Sequence, residues 1–258
     1  MTVSTAGAQS IVSTGQSFLD ASLLAGAMAG GERIAGLEFV MAPGWKTYWR
    51  APGEAGVPPR FDWSGSQNLA EIEVLWPAPE LFESFGMTTI GYGDRVVLPV
   101  RLVPQNPAEP IQVSVAMELG VCLDICVFEN TTIEATYAPS DTSSVAVIEA
   151  ALSAVPPSGA AAGVTHAECR IEGTGRDRQF TASLEVSSPL INPYVVIEGT
   201  EDSWFYDTDV TQNGSQIAVQ AALGLASEDQ WVTREDIRIT LLASNRAVDI
   251  QGCAAMPG

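Results

Sequence analysis

The sequence predicts an all-β protein of two β-sandwich domains joined by a short helix and a linker. Three observations predict it. Short runs alternating large apolar with small or polar residues recur along the chain, punctuated by Gly, Pro, Asn and Asp, the texture of strands buried on one face. One stretch of helical periodicity, residues 140–157, interrupts that rhythm and leads into the small, pliant run SGAAAG at 158–163. At 258 residues the chain is long enough for two ordinary domains.

The first five strands are predicted over RIAGLEFVMA (33–42), EIEVLW (71–76), RVVLPVRLV (95–103), IQVSVAMEL (111–119) and TTIEATYA (131–138). Pro99 cannot donate to a strand ladder, so it predicts an edge strand or a bulge in the third run. The helix follows, with Asp141, Thr142 or Ser143 as its N-cap and Val145, Ile148, Ala151 and Leu152 on one face. Pro156 and Pro157 stop it. Strand texture resumes in RQFTASLEVSS (178–188), PYVVIEG (193–199), QIAVQAAL (216–223), DIRITLLAS (236–244) and RAVDIQG (246–252), which suits a small immunoglobulin-like sandwich. The expected layout is therefore a domain over 1–140, a connection over 141–163 and a second domain over 164–258.

Twelve basic against 31 acidic residues leave a net charge of −19, a field that repels phosphate backbones and anionic membrane surfaces. Neither nucleic acid nor direct membrane insertion is expected. Only one basic residue is a lysine, Lys46, a skew that reads as genome composition rather than mechanism. Residues 1–19 lack a basic region ahead of an apolar core, so the chain reads as a mature form without a signal peptide. Four cysteines with a single histidine suit an oxidising compartment. There is no Gly-rich phosphate loop, HExxH or GxSxG, and no cofactor is expected.

The chemistry concentrates in ELGVCLDICVFEN, where Cys122 and Cys126 are separated by three residues. Four residues of extended strand span about 13 Å, too far for a disulfide, so the pair can join only across a tight turn. The flanks read as strands, which places Leu123, Asp124 and Ile125 at a hairpin tip. A bond closing so short a loop removes little unfolded-state entropy, about 2 kcal/mol. A structural staple and a redox pair both remain open on these residues. A metal clamp is disfavoured because neither His nor Met follows Cys126 and the sole histidine, His166, lies in the other domain. His166 and Cys169 fall on opposite faces of a strand and form no nucleophile pair.

The blocks GLEFVMAPGWKTYWRAPGEAGVPPRFDWSGSQNL (36–69), VLWPAPELF (74–82), GYGDRVVLPV (91–100) and GVCLDICVFEN (120–130) resemble the amino-terminal periplasmic domain of the thiol:disulfide interchange protein family DsbD, closest to its ScsB (suppressor of copper sensitivity) branch. The resemblance is strong over about residues 18–140. It implies an immunoglobulin-like sandwich whose cysteine pair, here Cys122 and Cys126, exchanges electrons. It further implies a thioredoxin-like domain or protein as donor, a periplasmic disulfide protein as acceptor, and a protein-disulfide reductase activity. The DsbD spacing is longer than Cys-x3-Cys, and full-length members continue into transmembrane and thioredoxin-like regions that do not follow GCAAMPG here. The rival readings are a copper-tolerance module using the same thiols and a non-catalytic sandwich with structural disulfides.

Further expectations attach to single residues. Asp124 lies between the thiols and disfavours thiolate formation. Cys169 and Cys253 sit at the two ends of the second domain, so a structural disulfide between them is expected. Shielding of the redox pair is assigned to the loop ELFESFGMTTIGYGD (80–94), with Phe85 first, Tyr92 second and Phe82 third as covering aromatics. Trp45, Tyr48, Trp49 and Trp63 read mainly as anchors of loops in the core.

Overall fold

The computed structural model describes residues 17–84 and 86–257. The chain divides into two compact units between Val155 and Pro156. The first contains β1 (Leu19–Leu24), β2 (Met28–Ala29), β3 (Glu32–Met41), β4 (Lys46–Gly53), β5 (Arg60–Asp62), β6 (Glu71–Val74), β7 (Glu80–Ser84), β8 (Met87–Gly93), β9 (Arg95–Val103), β10 (Ile111–Cys122), β11 (Cys126–Tyr137) and the helix α1 (Val145–Ser153). One sheet has the order β1-β3-β9-β6 with β2 also on β3. The other runs β11-β10-β4-β8-β7 with β5 also on β10.

Alternation builds the core between these sheets. Ile111, Val113, Val115, Met117, Leu119 and Val121 of β10 are all buried, as are Ala35, Leu37, Phe39 and Met41 of β3. Leu37 faces Leu98 and Phe39 faces Val96 across the β3–β9 pair. Val97 is buried on the opposite face because α1 covers it there: Ile148 of α1 and Val97 both abut Gly36. That explains why the β9 run is apolar on both faces rather than alternating.

Pro99 lies inside this sheet, not at its edge. Its carbonyl accepts from Leu75, just past the end of β6, so its missing N–H faces the same side. The β6 ladder stops at Val74 for that reason.

The helix belongs with the first unit, and its cap is Ser144 rather than Asp141, Thr142 or Ser143. The Asp141 carboxylate is occupied instead by the Ala138 N–H at 2.8 Å, closing the turn before the helix. Residues 158–163, expected as a flexible connection, form an ordered turn of the second unit. Ser158 bridges to Asp249, and Gly159 donates to the Asp249 carbonyl at 2.7 Å.

The second unit holds β12 (Val164–Glu172), β13 (Asp177–Val186), β14 (Tyr194–Glu198), β15 (Ser203–Asn213), β16 (Gln216–Leu225), β17 (Arg238–Ala243), β18 (Arg246–Gln251) and β19 (Ala254–Ala255). Its sheets, β15-β16-β13-β12-β19 and β14-β17-β18, enclose a core containing Phe180, Leu184, Val219 and Leu223 from the one and Ile197, Ile239, Leu241 and Val248 from the other. β15 was not among the predicted strands because DTDVTQN is mostly polar. It lies at the sheet edge and is largely exposed.

Candidate functional site

The β10–β11 hairpin pairs twelve residues without a slip, from Ile111 opposite Tyr137 to Cys122 opposite Cys126. Leu123, Asp124 and Ile125 close it, with the Leu123 N–H donating to the Ile125 carbonyl at 3.1 Å. The cysteine Cα atoms stand 4.1 Å apart and the sulfurs are bonded. The unbroken register of β10 puts Val121 on the core side and Cys122 on the outer side of the sheet.

The two sulfurs are not equivalent. Cys126 is exposed, whereas Cys122 is only 2% exposed although it faces outward. What covers Cys122 is Tyr48. In β4 the pairs Thr47–Val121 and Lys46–Cys122 join the strand to the end of β10, and the Thr47 hydroxyl donates to the Gly120 carbonyl at 3.0 Å. Tyr48 then lies over Gly120, where a Cβ would come within 3.1 Å of two ring carbons. Its hydroxyl sits 2.9 Å from Cys122 Sγ and 3.3 Å from Cys126 Sγ. Burial pushes the Tyr48 phenol up from its ordinary value, so at neutral pH the group is a protonated donor.

Tyr48 is the residue at the sulfurs that the sequence reading does not single out. No local signal separates it from its neighbours: Trp49 is fully buried, Trp45 stacks on Phe18 at 3.9 Å, and Trp63 packs near Phe61 at 6.2 Å. Only the pairing of β4 with β10, distant in sequence, distinguishes it.

The residues expected to cover the pair separate. Tyr92 is directly opposite Thr47, on the core side, and its hydroxyl donates to the Pro77 carbonyl at 2.7 Å. The strand period puts it on the face away from the sulfurs, so it is a core residue rather than a cover. Burial holds its phenol well above the ordinary value. Phe82 is half-buried over Gly93 and carries the Lys46 ammonium 4.7 Å above its ring. Phe85 lies outside the described residues. Asp124 is exposed at the tip, flanked by Leu123 and by Ile125, which is 71% exposed; Phe128, 66% exposed, continues the apolar surface along β11.

In the second unit Cys169 of β12 is bonded to Cys253, with Cα atoms 5.7 Å apart. Cys169 is therefore not a free nucleophile. His166 is exposed and 3.2 Å from Glu168.

Comparison with known proteins agrees with this geometry. The family described as "Thiol:disulfide interchange protein DsbD, N-terminal" matches residues 16–138. Among solved structures, the N-terminal periplasmic domain of ScsB from Proteus mirabilis superposes with a TM-score of 0.74 at 19% identity, covering 96% of this chain and 98% of that one. No curated protein sequence matches the chain. No helix of the described residues is long and apolar enough to cross a membrane. The hairpin and its cysteine pair fall inside the matched segment, and the ScsB structure extends the likeness in fold across both units. Residues 16–138 thus match the DsbD amino-terminal family, and the whole chain has the β-sandwich architecture of the ScsB amino-terminal domain.

Proposed function

We propose that this protein is a periplasmic thiol–disulfide exchange module that passes reducing equivalents through Cys122 and Cys126. The observation that carries the reading is the asymmetry of the pair: one sulfur open at a hairpin tip, the other buried under a hydroxyl donor. A partner thiolate attacks Cys126 Sγ, forming a mixed disulfide as the Cys122–Cys126 bond breaks. Cys122 leaves as a thiolate, with the Tyr48 hydroxyl aimed at it. The partner's second thiolate then attacks its own sulfur in the mixed disulfide, releasing Cys126. The partner dithiol becomes a disulfide, and this protein gains two electrons and, after protonation, two protons. Run in reverse, the same steps reduce an acceptor. A thioredoxin-like protein or domain fits as donor and a periplasmic disulfide protein as acceptor. Leu123, Ile125 and Phe128 supply an apolar rim for docking beside Cys126.

Redox titration of the pair against glutathione or dithiol buffers, read by alkylation and mass spectrometry, tests this. A potential of roughly −120 to −270 mV supports exchange, whereas one below about −300 mV marks a staple. The remaining thiol of each single variant is first activated as a mixed disulfide with 5-thio-2-nitrobenzoate, which departs as the leaving thiolate. Cys122→Ser should then form a mixed disulfide with a thioredoxin-like thiol through Cys126 rapidly, and Cys126→Ser should do so far more slowly through buried Cys122. Stoichiometric Cu(I) binding by the reduced pair, without exchange, would favour the copper-tolerance reading instead.

A further inference from the structure

The only lysine in this acidic chain stands directly opposite one of the two sulfurs. Lys46 and Cys122 are partners in the antiparallel β4–β10 pair, so their side chains rise from one face of the sheet with Cα atoms about 4.5–5.5 Å apart. With the disulfide closed, the Lys46 ammonium donates to the Thr89 hydroxyl at 3.0 Å and rests over the Phe82 ring. Both partners are neutral. Among the described residues no carboxylate lies within ion-pair distance of it, although the chain has 31 acidic residues. Burial lowers its pKa, the mark of a cation that is partly desolvated without a compensating anion.

We propose that Lys46 is a positioning residue for the exchange: paired with Cys122 across β4 and β10, its ammonium swings from Thr89 and Phe82 towards Cys122 to stabilise the thiolate when the S–S bond opens. The proposal rests on the exchange reading above. It supplies what Tyr48 cannot: a hydroxyl donates one hydrogen bond, while an ammonium on a flexible four-carbon stem adds a full positive charge within reach of the same sulfur. Reduction leaves an anion on Cys122, and Lys46 is the basic residue paired with it across the sheet.

The other charged or titratable groups around this position are few. Tyr48 and Arg50 share β4, Asp124 is at the hairpin tip, and Glu80 on β7 lies in the row of Gly91 and Tyr48. Glu54 is bonded to the Thr88 N–H and Glu83 to the Thr88 hydroxyl, each at 2.7 Å. The carboxylates disfavour a thiolate, so the ammonium opposes them. A lower thiol pKa also makes Cys122 a faster leaving group.

The test compares wild type with Lys46→Met, Lys46→Arg and Thr89→Val. In a Cys126→Ser background, which leaves Cys122 as the lone thiol of the pair, alkylation rate against pH gives the Cys122 midpoint. Lys46→Met should raise that midpoint by at least half a pH unit. With both cysteines present and the pH held above that midpoint, it should shift the equilibrium with glutathione toward the disulfide by at least about threefold, about 15 mV more negative for a two-electron couple. It should also slow reduction by dithiothreitol several-fold at an unchanged melting temperature. Lys46→Arg should restore most of each effect, and Thr89→Val, which frees the ammonium without removing it, should leave the midpoint unchanged or lower.

Identical midpoints and potentials in Lys46→Met and wild type would overturn the proposal. So would Lys46→Arg behaving like Lys46→Met, which assigns Lys46 a packing role on Phe82. A wild-type potential below about −300 mV would instead sink the exchange reading. The Cys122 midpoints would still decide whether Lys46 acts on the thiolate.

Discussion

Removing one oxygen from Tyr48 isolates what its hydroxyl contributes. The ring over Gly120 stays in Tyr48→Phe, but the donor 2.9 Å from Cys122 Sγ is lost. A hydrogen bond to a charged group is worth about 1.5–3 kcal/mol, whereas one to a neutral group is worth roughly 1. Reduction, which creates the charge, should therefore slow by roughly 2- to 30-fold, while the oxidised protein loses no more than about 1 kcal/mol of stability. Stopped-flow reduction by dithiothreitol alongside urea melts checks both; equal rates would show that the hydroxyl only fills space. The pH dependence has a definite sign. Because burial raises the folded phenol above its unfolded value near 10, its protonated state is favoured by folding. Its stabilisation is thus complete below about pH 10 and is lost as pH rises from there through the folded value. The rate difference between Tyr48 and Phe should accordingly persist across neutral pH.

The elements are held in register by contacts that few side chains make. Ile148 is the one buried residue of α1, and it fills the space against Gly26 and Gly36 on the outer face of the first sheet. Ile148→Ala should destabilise the first unit by about 2–5 kcal/mol, seen as a lower urea midpoint for that unit. A change below about 1 kcal/mol would mean that the helix is only loosely attached. The hairpin bearing the cysteines was legible from alternation alone, since β10 and β11 keep period two for twelve residues and the three residues between them can do little but turn. The cover was not legible. Tyr92 and Tyr48 are both buried tyrosines, yet strand parity sends Tyr92 to the core while Tyr48 rises to the sulfurs.

Each of the two units carries one disulfide, and the two bonds differ in loop length and exposure. Cys122–Cys126 closes a short loop at an exposed tip, while Cys169–Cys253 spans 84 residues and ties the first strand of the second unit to the segment after β18. On the chain-entropy model the longer bond contributes ~4.5 kcal/mol. Cys169 is buried, so mild dithiol should reduce Cys122–Cys126 well before the second bond. Replacing both Cys169 and Cys253 with Ala should lower the stability of the second unit and leave the exchange rate of the first pair unchanged. Differential alkylation over a dithiothreitol series reads the order; simultaneous reduction of both bonds would contradict a division of labour. The net charge of −19 bears on partners at this scale, favouring a basic docking surface over an acidic one.

Sequence alone determined the all-β class, the helix before the second domain and the hairpin tip, because each follows from periodicity or chain geometry over a dozen residues; the bond between Cys122 and Cys126 was only one of the states it allowed. Its motifs also carried the family resemblance. What it could not determine was anything decided between distant strands. Whether Pro99 lies at an edge depends on where β6 ends, and the helix cap depends on a carboxylate already used by a turn. Whether a tyrosine or the lone lysine meets a sulfur depends on β4 lying beside β10 rather than another strand. Strand neighbours are selected by the packing of two whole sheets, a non-local free-energy balance that no short window of sequence contains. The reactive pair was therefore readable in the chain, while the groups that tune it emerged only with the sheet.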